Sequence, residues 1–107
     1  KIMDLLLEIA ALFIEECPSQ LAQIREAITQ HDSAALSRTA HSLKGAIGNF
    51  GAPLAYAAAQ RLEIMGQEDK LAGAAGACDE LAIEIDRLGT ALLALAHETA
   101  PSLAIVS

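Results

Sequence analysis

The chain has 107 residues, and 53% of them are hydrophobic, with 23 Ala and 16 Leu against one Val, no Trp and three aromatics (Phe13, Phe50, Tyr56). Ala and Leu favour helices, whereas sheets draw on β-branched and aromatic residues, so an all-β or doubly wound fold is disfavoured, and the length suits one domain. Seven Lys and Arg against fourteen Asp and Glu give a net charge of −7, which argues against nucleic-acid binding, because neutralising phosphates needs a basic patch.

A mean hydropathy of +0.37 raises the question of a membrane. The longest uncharged stretch, Gly45–Gln60, contains Asn49 and four Gly or Pro residues, and is too short and too broken for a span of about 18 or more apolar residues. The opening Lys1-Ile2-Met3-Asp4 places an acid where a secretory signal has its apolar run. A start on Lys, with helical patterning from Ile2 onward, suggests a segment of a longer, cytoplasmic protein. Cys17 and Cys78 make neither a disulfide framework nor a zinc site, and read as reduced core residues, with a single bridge between them left open by the sequence.

In chain order, Leu5, Ile9, Leu12, Phe13 and Glu16 begin a 3.6-residue pattern that continues through Leu21, Ile24, Arg25 and Ile28. Pro18 lies inside it and removes a backbone donor. The expectation is a helix over 3–29 that is kinked, or split in two, near Pro18. Asp32 is placed to cap the next helix, Ser33 to Phe50, whose inward stripe is Leu36, Ala40, Leu43, Ile47 and Phe50. Pro53 suits the first turn of a third helix that carries Leu54, Ala58, Leu62 and Met65 inward and breaks at Gly66. In the last helix Leu71, Ala74, Cys78, Leu81, Ile85, Leu88, Leu92 and Leu95 alternate three and four apart, as a bundle seam does. Short loops between amphipathic segments imply an all-α, antiparallel four-helix bundle over 1–97, with a tail over 98–107.

The informative stretch is Ala40-His41-Ser42-Leu43-Lys44-Gly45. With Leu36 at the centre of the core stripe, His41 lies about 140° round the helix, between Ala34, Ser37, Gly45 and Gly48, all small residues. Lys44 is its neighbour one turn on. A glycine inside a helix is costly, and Gly45 makes sense if something bulky approaches the imidazole. An exposed neutral imidazole is a nucleophile near neutral pH, and a fixed ammonium beside it offers charge to anionic oxygens. With no second catalytic group in sequence, the set suits accepting a phosphoryl group, a reaction that is mostly positioning and electrostatics. The same residues also suit a solvent-exposed histidine beside a surface lysine in a plain helical interaction module.

Ala-His-Ser-Leu-Lys-Gly, followed by Gly51-Ala52 and Leu62-Glu63, closely resembles the histidine-containing phosphotransfer (HPt) domain family. The spacing of Phe13, Pro18, Leu21, Ile28, Asp32 and Leu36 is similar to the family's leading helix and turn. The resemblance implies a four-helix bundle that accepts phosphate from a receiver aspartate or a kinase and passes it to a receiver aspartate. It implies His41 as the phosphorylated residue, Lys44 as the contact to the phosphoryl oxygens and Gly45 as the residue granting access. It further implies that the receiver partner brings Mg²⁺ and that the chain is no enzyme by itself; the reading is a domain cut from a bacterial sensor or hybrid histidine kinase, with a stand-alone protein left open. Consistent with this, the sequence holds no Gly-rich phosphate loop. The dimerising phosphoacceptor domain of a kinase is a weaker alternative, since there an acid directly follows the histidine and here Ser42 does.

The hairpin turn near Gly51 brings Gln60 and Glu63 to the level of His41. In some family members a Glu matching Glu63 holds the imidazole Nδ1–H; the other reading leaves both as solvated surface residues. A docking face for the receiver is expected over Ala34, Ser37, Arg38 and Gly48. His31 reads as a turn residue and His97 as a helix-end residue. No spacing brings the three histidines together as a metal site.

Overall fold

A computed structural model describes the backbone of residues 2–99 and the side chains of residues 4–95. Four helices follow in order: α1 (Ile2–Thr29), α2 (Ser33–Gly48), α3 (Pro53–Gln67) and α4 (Ala74–Thr99). Among the described residues there is no strand. Each helix packs on two others, α1 on α2 and α4, α3 on α2 and α4, and among the described residues the backbones of the diagonal pairs do not come close. The chain is thus a square four-helix bundle with one core at its centre. Leu36, Ala40, Leu43 and Ile47 of α2 are fully buried there, with Ile24, Ala59, Leu62, Cys78 and Leu81 of the other helices. No helix is long and apolar enough to cross a membrane among the described residues. The hydropathy is that of Ala and Leu closing the seams.

Local signals set most boundaries. Asp32 caps α2, its carboxylate accepting from the Ala35 N–H at 3.1 Å. Pro53 opens α3, where its missing N–H costs nothing. Gly51 turns the chain between α2 and α3 at φ +60°, a conformation that glycine adopts without a Cβ penalty. Phe50 belongs to this turn rather than to α2, and its ring tilts onto Phe13 at 5.1 Å. α4 takes in Glu98 and Thr99, the first residues of the expected tail; residues 100–107 and the side chain of His97 lie outside the described residues.

The structure narrows or corrects four expectations. Of the two forms expected for α1, a single helix or two, the fold has the single one: it runs through Pro18, which is exposed, so water can take up the bond its missing N–H denies to the carbonyl of Ile14. Leu5 and Leu12 are each 58% exposed, because α1 meets its neighbours along Ala10, Phe13 and Cys17. Leu54 is 66% exposed, and α3 turns Ala55, Ala58, Ala59 and Leu62 inward instead. Small residues bring helices close, and the larger Leu beside them is left at the rim. α3 ends at Gln67, one residue past Gly66, which is buried in its last turn. A Cβ there would lie 2.7 Å from both Ser33 O and Ser37 N, so this glycine is where α3 presses its backbone against α2.

Candidate functional site

The site is the outer edge of the α2–α3 seam. Two contacts bind the seam at its base: the close packing of Gly66 on Ser33 and Ser37, and a hydrogen bond from the Ser33 hydroxyl to the Asp69 carboxylate. From this anchor the two helices run antiparallel, and residues facing each other across the seam are fixed by register.

Glu63 is the centre of the arrangement. It is 7% exposed, the one charged or polar residue in the bundle core among the described residues. A buried carboxylate is costly unless paired, and Glu63 has partners on both oxygens. Its Oε2 lies 2.7 Å from His41 Nδ1 and 3.5 Å from the Gln67 amide. Its Oε1 lies 2.7 Å from Lys44 Nζ. That last contact is a close ion pair whose alignment falls short of a regular hydrogen bond. The Lys44 ammonium first, and the His41 hydrogen bond after it, hold the Glu63 carboxyl below its ordinary value against the opposing effect of burial. The same contact with Glu63 raises Lys44.

His41 is presented differently from both. Its side chain is 68% exposed while its Nδ1 touches a carboxylate that is 9% exposed. With Glu63 ionised, Nδ1 carries the proton and donates it, so the lone pair resides on Nε2. Gly45 leaves the space beside the ring open: a Cβ built there meets nothing within 4 Å.

Lys44 is more enclosed than a surface neighbour of His41, its side chain only 17% exposed. Its ammonium also stands 5.7 Å from the centroid of the Tyr56 ring. Gln60 is exposed and makes no side-chain hydrogen bond among the described residues, so of the two α3 residues expected near the histidine the fold joins only Glu63 to it. Ala34, Arg38 and Gly48 are exposed around His41, and Ser37 is half-buried against Gly66. Arg38 lines a shallow groove between α1 and α2 with Gln23, Glu26 and Thr39. His31 sits in the α1–α2 turn at φ +54°. No group of three His, Cys, Asp or Glu that could hold a metal occurs among the described residues.

Sequence reasoning missed Tyr56, Gln67 and the packing role of Gly66. Two of these were within reach of helical spacing: Tyr56 lies seven residues before Glu63 and Gln67 four after it, on one face of α3.

The site is an exposed histidine midway along the second of four bundled helices, backed by a buried acid from the third. Comparison with known families places the chain: the model of the Hpt domain matches residues 8–91. The chain belongs to the Hpt domain family, whose members are phosphotransfer modules of two-component systems, rather than catalytic enzymes, and work with response-regulator receivers. No curated protein and no solved structure matches the chain.

Proposed function

We propose that His41 is the phosphoacceptor of this domain, and that the chain relays a phosphoryl group between receiver aspartates, or from a kinase to a receiver, in a bacterial cytoplasmic phosphorelay. The observation that carries this reading is the division of labour on the imidazole: Nδ1 is held at 2.7 Å by a buried carboxylate while the rest of the ring is open to solvent. Nε2 attacks the phosphorus of an aspartyl phosphate, an N–P bond forms, the P–O bond to the aspartate breaks, and the carboxylate leaves. The imidazole gains positive charge in this step, and Glu63, already sharing the Nδ1 proton, stabilises it. Reversal returns the group to a second receiver.

Lys44 supplies positive charge beside the incoming phosphoryl oxygens, and Gly45 leaves the approach open. Gln60 offers an exposed amide on the same edge. Ala34, Ser37, Arg38 and Gly48 form the docking face, their small side chains admitting the partner and Arg38 meeting the acidic groups of a receiver's active site. Mg²⁺ comes with the receiver, where it balances the charge of the transferred group.

Incubation with a phosphorylated receiver domain tests the proposal. Acid-labile, alkali-stable label is expected on the wild-type chain and none on His41→Gln. Label that survives His41→Gln, or no transfer from any of a panel of receivers, overturns it.

A further inference from the structure

We infer that Tyr56 is a positioning residue for Lys44: its ring, lying over Gly48 with room for no more than a Cβ between them, closes the slot in which the ammonium faces Glu63. The consequence for transfer rests on the phosphotransfer reading above; the packing itself does not.

Register carries the geometry. On α2, His41, Lys44 and Gly48 follow one another at spacings of three and four along one stripe. On α3, Tyr56 and Glu63 are seven apart, two turns of helix, and share a face. His41 meets Glu63 at 2.7 Å. A Cβ added to Gly48 would lie 3.7 and 3.9 Å from two carbons of the Tyr56 ring. Both pairs stand in the same antiparallel register, so Lys44 falls between them, with the carboxylate on one side and the aromatic ring on the other. Its ammonium is 2.7 Å from the first and 5.7 Å from the centroid of the second. This bracket explains why Lys44 is 17% exposed when His41, one turn earlier on the same stripe, is 68% exposed.

An aromatic face attracts a cation and excludes water from one side of it. A lysine free in solvent samples many rotamers, and ordering it costs free energy. Tyr56 removes part of that cost before the partner arrives. Without the ring, the ammonium swings outward, and an incoming phosphoryl group meets the Glu63 carboxylate with less compensating charge. Gly48 belongs to the same device: a side chain larger than Ala there pushes the ring off Lys44.

The test compares the full chain with Tyr56→Phe, Tyr56→Leu and Gly48→Leu, with thermal melting to confirm that each is folded. Lysine acylation by an N-hydroxysuccinimide ester, read by peptide mass spectrometry, reports on Lys44, with the exposed Lys70 as internal standard. Tyr56→Leu and Gly48→Leu are expected to raise Lys44 acylation relative to Lys70 by about three-fold to ten-fold, the range of a partly desolvated cation–π contact. Tyr56→Phe keeps the wild-type value, because the ring and not the hydroxyl carries the effect. Label transfer to His41 slows by a similar factor in Tyr56→Leu and not in Tyr56→Phe. Unchanged Lys44 acylation in Tyr56→Leu, or equal behaviour of the Phe and Leu variants, overturns the inference. If the wild-type chain takes no label while the acylation pattern holds, the phosphotransfer reading fails and the restraint on Lys44 stands.

Discussion

The α2–α3 seam and the α1–α4 seam are made from the same small and aliphatic residues, and they differ in what they enclose. Between α1 and α4, Phe13, Cys17, Leu21 and Ile85 line an apolar groove. Among the described residues its one cross-helix ion pair, Arg25–Asp79, stays at the exposed rim. Burial pushes the Cys17 thiol up to about 11, so at neutral pH it is a small hydrophobic group and no nucleophile. Between α2 and α3 a carboxylate is buried instead, and it organises a lysine and a histidine around itself. The lesson is that the bundle supplies rigidity everywhere, while the chemistry depends on one acid placed where two helices are already pressed together.

The glycine at that close approach separates the two seams most sharply. Gly66→Ala forces a Cβ into backbone atoms of α2 that cannot retreat without moving the helix, and it is expected to destabilise the fold by about 2–3 kcal/mol, the upper range of overpacking. Denaturant melts at neutral pH would show this, and a neutral Gly66→Ala would contradict the tight seam. The same substitution in α4 should act in reverse. A Cβ at Gly89 meets nothing within 4 Å, so Gly89→Ala gains about 1 kcal/mol of helix propensity.

Next in size is the buried acid. Glu63→Gln leaves Lys44 without its counter-charge and is expected to cost about 1–2 kcal/mol at pH 7. The folded-state value of Glu63 is depressed below the ordinary 4.5, so its contribution is present above that pH and is lost as pH falls through the lower folded value. Lys44 is raised above 10.5, so its share is complete below that pH and is lost as pH rises through the higher folded value. The difference in melting between wild type and Glu63→Gln is therefore predicted to shrink on acidification below pH 4.5. A difference that persists unchanged in strong acid would mean that Glu63 acts by shape and not by charge.

The smallest effect belongs to the rim of the opposite seam. Arg25 and Asp79 meet at 2.9 Å with side chains 49% and 67% exposed. Screening by water leaves such a pair about 0.5 kcal/mol or less, so Arg25→Ala should barely move the melt and leave phosphoryl transfer untouched. A loss as large as that of Glu63→Gln would erase the distinction between the two seams.

Much of this was legible in the residues. Leu36, Ala40, Leu43 and Ile47 stand where their period put them, and Asp32 caps α2 as its type and place implied. His41 faces outward as the helical angle required. What escaped was the choice among apolar residues. Period 3.6 marks a broad stripe on α1 and α3, but only packing decides that Ala10 and Ala55 go in while Leu12 and Leu54 stay out. The coupling of Lys44, Glu63 and Tyr56 escaped for a related reason. It depends on the register between two helices, which the turn at Gly51 and the contact at Gly66 set together, and neither helix alone contains it.

The most direct test is to phosphorylate the ¹⁵N-labelled chain and ask by ¹H–¹⁵N and ³¹P NMR which imidazole nitrogen carries phosphorus. If Glu63 holds Nδ1 and leaves Nε2 to react, the N–P bond is found on Nε2 of His41 alone, with Nδ1 still protonated. Phosphorus on Nδ1, or on any residue other than His41, would contradict that arrangement.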